Sequence, residues 1–285
     1  MSLDATAGPS PEPAPDPSDP ADSAVLVSAE REGAVRVLSI NRPQRRNSLD
    51  LADRRELIAA VEAAYTDEVC RAVVLTGEGP IFCSGGDISS MTPDPKAATI
   101  RLGLVAHLAR LLIRGPKPVV AAVQGGAFGL GLSLAAACDH VVGAHGSKYV
   151  CSFGKIGLAP DTGMSWTLPQ RIGRTRAKSL VLSARVVEAG EALGLGLIDE
   201  IVPVGQLRTV AIERAAQLGA GSLPTIAATK ALFAQADDDL DALLEAETRT
   251  QLAVFAGPDF AEGQAAFLGK RPARFTAPAP PPPWW

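Results

Sequence analysis

Imidazole and thiol side chains are scarce: the 285-residue chain holds three histidines and four cysteines. His107, His140 and His145 are too few and too scattered to suggest a metal-ligand cluster. Cys70, Cys83, Cys138 and Cys151 form no C-x-x-C pair and sit in apolar or mixed segments, which reads as reduced structural thiols and not as a zinc site or disulfide frame. Long apolar runs are missing as well. No uninterrupted stretch approaches the roughly 20 residues that span a bilayer, and the N-terminus lacks a basic region followed by an apolar one, so the expectation is a cytoplasmic protein with no membrane partner. There is no basic excess. The formal net charge is -4 with acids and bases intermixed, which argues against a nucleic-acid partner. Neither G-x-x-x-x-G-K-[ST] nor a strand-coupled G-x-G-x-x-G occurs, and this sets aside the common phosphate loops.

What the chain does hold is apolar residues, 47% of the total, enough for one large core. Residues 1–22 contain P-S-P-E-P-A-P-D-P and almost nothing apolar, and residues 276–285 carry a proline run before Trp284-Trp285, so both ends read as disordered tails. Between them, alternating Val25, Val27, Val35, Val37 and Ile40, broken at Glu32-Gly33, predicts a hairpin. Asn47 or Ser48 is placed to cap a helix with the apolar face Leu57, Ile58, Val61 and Tyr65. Buried strands follow at 71–76 and 119–123, separated by a helix over 97–114 whose apolar face is read as Ile100, Leu104, His107, Leu108, Leu111 and Leu112. Short strands are expected at 141–142, 148–150 and 199–202. Helices are expected at 174–182, 187–193, 207–218, 223–235, 240–255 and 259–268. Strand-then-helix units joined by short loops imply an α/β core with parallel pairing.

Three stretches bear chemistry. In C-S-F-G-K-I-G-L-A-P-D-T-G-M-S-W-T-L-P, residues 151–169, a lone acid, Asp161, stands among Phe153, Ile156, Leu158, Met164, Trp166 and Leu168. Desolvation there raises its pKa towards a range useful for taking and returning protons; the alternative is a turn aspartate capping the next helix. Gly85-Gly86 in F-C-S-G-G-D-I lets backbone approach a ligand closely, or marks a flexible loop. The segment Q-G-G-A-F-G-L-G-L-S-L-A-A-A-C-D opens an uncharged helix whose free N–H groups favour negative charge, or else packs tightly through its small residues.

Taken in order, N-R-P-x-x-x-N-S-L, F-C-S-G-G-D-I, A-V-Q-G-x-A-F-G-L-G-L-S-L-A-x-x-C-D, I-G-L-A-P-D-T-G and D-F-A-E-G-Q-A-A-F-L-G-K-R resemble the successive signatures of the crotonase (enoyl-CoA hydratase/isomerase) superfamily. The resemblance implies a crotonase-like fold of stacked ββα units over residues 23–205. It also implies a helical trimerisation region over 206–275, a homotrimer or dimer of trimers, and an acyl-CoA substrate. The resemblance further implies that no cofactor is held permanently and that coenzyme A arrives as part of the substrate. Backbone N–H groups of Gly86 and Leu130 match the family's oxyanion hole, with Leu130 standing where glycine is more usual. Ser84, Gly85, Asp87 and Ile88 would flank CoA, Arg45 its phosphates, and Phe267 and Lys270 match a neighbouring helix that closes on it. Hydratases of the family carry two glutamates at positions that here hold Ser133 and Phe153. Asp161 stands where family isomerases keep a proton-shuttling acid, and the closest likeness is to ring-1,2-epoxyphenylacetyl-CoA and enoyl-CoA isomerases. His107, Ser133, Phe153 and Trp166 are then expected to shape the acyl pocket. The other readings left open are a hydratase, a halobenzoyl-CoA-type dehalogenase with Asp161 as nucleophile, and a non-catalytic acyl-CoA sensor or RNA-binding relative.

Overall fold

The computed structural model of the chain describes residues 26–92, 94–235 and 240–282. The expected hairpin forms: β1 (Val27–Glu32) and β2 (Val35–Ile40) pair antiparallel around Gly33, whose φ of +60° suits a residue without a Cβ. Helix α1 (Leu51–Thr66) then carries the chain back so that β3 (Ala72–Gly77) adds parallel to β2. After α2 (Pro95–Arg114), β4 (Val119–Val123) adds parallel to β3. A short β5 (Gly126–Phe128) leaves the main sheet, and α3 (Leu130–Ala137) returns the chain to β6 (His140–Ala144), parallel to β4. β7 (Lys148–Val150) pairs with β5, and β8 (Val187–Glu188) closes that small sheet antiparallel. Between β7 and β8 lie α4 (Met164–Ile172) and α5 (Arg174–Ser183); α6 (Ala189–Leu195) leads to β9 (Glu200–Val202). The main sheet has the order β1-β2-β3-β4-β6-β9.

Strands β3 and β4 read as unbroken apolar runs because both faces of the sheet are covered. On one face Leu207, Ala211 and Ala215 of α7 (Leu207–Leu218) pack on Val37, Val74, Val120 and Val142. On the other, Leu38, Ile40, Val73 and Leu75 join Leu57, Leu108, Leu111 and Leu134 from α1, α2 and α3. Three further helices complete the chain: α8 (Leu223–Gln235), α9 (Leu240–Phe255) and α10 (Pro258–Leu268). Among the described residues no helix is long and apolar enough to cross a membrane.

Several local expectations need correction. The cap of α1 is Asp50, not Asn47 or Ser48: its carboxylate accepts from Ala52 and Asp53 N–H while Asp53 reaches back to the Asp50 N–H, a capping box. Asn47 is instead buried as a loop clamp, donating to the carbonyls of Glu78 (2.9 Å) and Ile81 (2.6 Å) and accepting from Arg42 N–H. The buried stripe of α2 keeps the expected Leu108, Leu111 and Leu112 but is turned towards Val105 and Ala109, leaving Leu104 partly buried and Ile100 exposed. Val187-Glu188 is strand because it pairs with β7, overriding its helical surroundings. Residues 276–282 lack helix and strand, yet their start is docked: Thr276 and Ala277 N–H each lie 3.2 Å from Asp259 Oδ1, and Ala277 is buried. The tail over 1–22, the acidic run 237–239 and Trp284-Trp285 lie outside the described residues.

Gly103 sits at an exposed position within α2, and a Cβ built there meets nothing within 4 Å. Gly103→Ala is therefore expected to stabilise the chain by about 0.5–1 kcal/mol, read as a raised denaturation midpoint, because alanine loses less backbone entropy on forming helix.

Candidate active site

Backbone brings the first two groups together. The segment after β3 is sewn to its surroundings by Ser84 N–H to Arg46 O (3.0 Å), Leu49 N–H to Gly85 O (2.9 Å) and Phe128 N–H to Cys83 O (3.0 Å), so Gly85-Gly86 is a fixed loop. Gly85 has φ +113°, and a Cβ on it would stand 3.0 Å from Phe128 O and 3.7 Å from Leu130 N. The loop thus lies directly against the first turn of α3, an approach open only to glycine. Among the described residues no acceptor takes the N–H of Gly86 or of Leu130. Two unpaired backbone donors at one mouth, one of them at a helix N-terminus, form a cradle for an oxygen that gains negative charge.

With them is Asp161. It shares a cavity of about 220 Å³ with Ser84, Gly85, Gly86, Ile88, Leu130 and Phe153, and it is the one carboxylate lining that cavity among the described residues. Burial raises the carboxyl above its ordinary range, opposed in part by a hydrogen bond from the Thr162 hydroxyl (2.9 Å) and by the charges of Arg54 and Arg101. The carboxylate is not a helix cap: α4 begins behind Gly163, with no side-chain cap. Its backbone is pinned, since the Asp161 carbonyl accepts from Met164 N–H at 3.1 Å and lies 3.2 Å from the Ser133 hydroxyl. Thr162 holds the left-handed φ of +54°, a conformation costly for a branched residue and retained here where it orients the acid.

The other candidates divide. Phe153, Ile156 and Leu158 line the cavity, while Met164 and Leu168 are buried. Ser133 is fully buried and supports Asp161 without lining the cavity. His107 does not shape the pocket; its Nε2 lies 2.8 Å from Glu62 Oε1 on a half-exposed face, because the α2 stripe is rotated away from it. Trp166 does not line the cavity either and stands instead in two outer clefts, one between α4 and α5 and one where α4 meets α3 and α8. Asp87 turns from the cavity to accept from Ser89 N–H and its hydroxyl, and Arg45 lies 3.9 Å from Asp87. Phe267 and Lys270, at the end of α10, do not line the cavity; Phe267 is 83% exposed.

Sequence reasoning missed Arg54. It is 2% exposed, yet lines the cavity, and a Cβ on Gly86 would lie 2.8 Å from its Nη2. Arg101 of α2 lines the same cavity and donates to Ser90 O at 2.6 Å. The signal was spacing: Arg54 stands at i−3 and i−4 from Leu57 and Ile58, and Arg101 at i−4 from Val105, so each extends its helix's buried stripe. Cys83 lies beneath the loop with its thiol pushed up to about 12 by burial, which removes it as a nucleophile at neutral pH.

Two unpaired amide N–H groups and a buried acid thus line one cavity on an α/β core of strand-helix units. Comparison with known proteins places that build. The enoyl-CoA hydratase/isomerase family model matches residues 30–278, and the chain belongs to that family, the crotonase family of CoA-thioester enzymes. It is 39% identical over 246 residues to a probable enoyl-CoA hydratase of Rhodobacter capsulatus, covering 84% of this chain and 93% of that protein. It is 34% identical over 251 residues to the 1,2-epoxyphenylacetyl-CoA isomerase of Escherichia coli, covering 86% and 96%. Among solved structures, an enoyl-CoA hydratase from Polaromonas sp. JS666 superposes with a TM-score of 0.82 at 32% identity, over 87% of this chain and 99% of that one. The crotonase-like fold expected from the five motifs is thereby established.

Proposed function

We propose that this enzyme is an acyl-CoA isomerase that moves a double bond, or rearranges a ring epoxide, through an enolate. Asp161 removes an α- or γ-proton from the acyl chain. The electron pair left behind moves onto the thioester oxygen, held by the N–H groups of Gly86 and Leu130, and Asp161 then returns the proton at a different carbon. A donor of this kind is worth about 3 kcal/mol in the transition state. The observation that carries the reading is the single carboxylate in the cavity, with Ser133 and Phe153 at the positions of the family's hydratase glutamates. Adding water needs a base for the water and an acid for the α-carbon, and neither side chain supplies these at neutral pH. Moving a proton between carbons needs one group only.

The name of the Rhodobacter relative favours hydration as the second reading. A panel of CoA thioesters decides between them: 3-enoyl-CoA assayed for double-bond migration, crotonyl-CoA for hydration, a ring-halogenated benzoyl-CoA for halide release. Migration is expected to dominate, and hydration of crotonyl-CoA at an equal rate would overturn the proposal.

Assembly is part of the same reading. Phe233, Leu252, Phe267 and Leu268 stand exposed on α8, α9 and α10, and a trimer would cover such a surface. The sequence also offers Leu240, Leu244 and Phe255 of α9 for that surface: Leu244 and Phe255 are exposed, and the side chain of Leu240 is not described. Light scattering at micromolar concentration is expected to give the mass of a trimer or a multiple of it, and a monomer would remove the trimer from the proposal.

A further inference from the structure

The mechanism above uses one carboxylate and two amides, and leaves two cations unaccounted for. Arg54 Nε and Nη1, and Arg101 Nη1, are buried atoms with no hydrogen-bond partner among the described residues. Burying guanidinium N–H groups unpaired is unfavourable, and charged donors are the costliest to leave so. The two arginines also repel one another: each is close enough for Arg101 to disfavour the charged form of Arg54. Asp161 attracts both through space, but its Oδ1 is engaged by Thr162 and it stands as one negative group against two positive ones along the cavity wall. Both guanidinium-bearing residues line the cavity, so an anion there would balance two positive charges that a neutral acyl chain leaves uncompensated.

We infer that Arg54 and Arg101 form an anion-binding subsite for the acyl group, and that the preferred substrates are CoA thioesters whose acyl chain itself carries a carboxylate. Location favours the acyl chain over the phosphates of CoA. The Arg54 guanidinium lies against Gly86, whose N–H is assigned to the thioester oxygen, whereas the pantetheine arm holds the phosphates far from that oxygen. Guanidinium and carboxylate match in planar, two-pronged hydrogen bonding, and an anion between two arginines cancels their repulsion. Arg101 is held in place at the cavity wall, because its Nη2 is tied to Ser90 O. Arg54 is fixed by burial at the start of α1. The inference rests on the assignment of Gly86 and Leu130 to the thioester, but not on which proton transfer follows.

Binding tests it without catalysis. Calorimetric titration of the full chain would compare succinyl-, glutaryl- and adipyl-CoA with butyryl-, pentanoyl- and hexanoyl-CoA, pair by pair at equal carbon number, and with free CoA. At least one carboxylated thioester is expected to bind about tenfold or more tightly than its neutral partner, the effect of one charge-assisted hydrogen bond. Arg54→Met and Arg101→Met should each abolish that preference while leaving free CoA affinity unchanged. Arg101 is only half-buried, so its variant keeps the test alive if Arg54→Met does not fold. Equal affinities within all three pairs would overturn the inference. So would a loss of free CoA binding as large as the loss of carboxylated thioester, which would assign the arginines to the phosphates. A wild-type preference for carboxylated thioesters without double-bond migration would uphold the subsite and sink the isomerase reading alone.

Discussion

Asp161→Asn is expected to lower isomerase turnover by about 100-fold or more while leaving CoA-thioester affinity nearly unchanged, the range for losing a positioned acid/base. The amide keeps the shape of the carboxyl and its contact with Thr162, but it does not accept and return a proton as a carboxylate does. The N–H groups proposed to hold the thioester oxygen belong to Gly86 and Leu130, which the substitution does not touch. The same variant should be more stable than the parent at neutral pH. Burial lifts the folded carboxyl above its unfolded value, so the folded state binds the proton more tightly than the unfolded one. Ionising Asp161 thus opposes folding: stability falls as pH rises from the ordinary carboxylate range through the raised value, and Asn removes that penalty. Melting temperatures of parent and variant should converge towards low pH, and near-parental turnover in the variant would remove Asp161 as the proton carrier.

Gly131→Ala is expected to damage the site from behind. A Cβ at position 131 would stand 2.4 Å from the Cys83 carbonyl oxygen and 2.8 Å from Cys83 Cβ, both on a buried segment that does not swing aside. Either α3 or the Cys83 segment must shift, and these two carry the Leu130 and Gly86 donors. Overpacking of this kind costs about 1–3 kcal/mol. A displacement near 1 Å between catalytic groups lowers turnover by about 100-fold. Thermal denaturation and steady-state turnover measured beside Gly103→Ala separate the two effects, since that glycine has open space. A Gly131→Ala variant with parental turnover would show that the two donors do not act as a pair.

Much of the candidate site was legible in the sequence because it is built from backbone and from one conspicuous acid. Glycines at 85, 86, 129 and 131 announce close backbone approach, and Asp161 stands out by its apolar neighbours. Residues that act through pairing were harder to place. His107 lies on what sequence periodicity marks as an apolar face, but the α2 stripe is turned by about one residue and the ring meets Glu62 instead. Asn47 looked like a cap because its chemistry suits one; its contacts with Glu78 and Ile81, more than thirty residues away, are tertiary and leave no local trace. Arg54 was hidden for the opposite reason. In L-A-D-R-R-E-L an arginine reads as solvated surface, and only its register with Leu57 and Ile58 argues for burial.

The parallel ladder also governs how the enzyme comes into being. Joining β2 to β3, β3 to β4 and β4 to β6 in parallel requires a crossover helix each time, so every pairing closes a long loop before any ladder bond forms. Arg54, Gly86, Leu130 and Asp161 come from four different stretches of chain that meet only when those closures are complete. Chains dominated by such distant contacts fold slowly, with strand edges open in the meantime to association with other chains. The first crossover alone sets Arg54 beside Gly86, whereas Leu130 and Asp161 join them only after the later strands are in place, so the proposed four-part site is complete only when the core has closed.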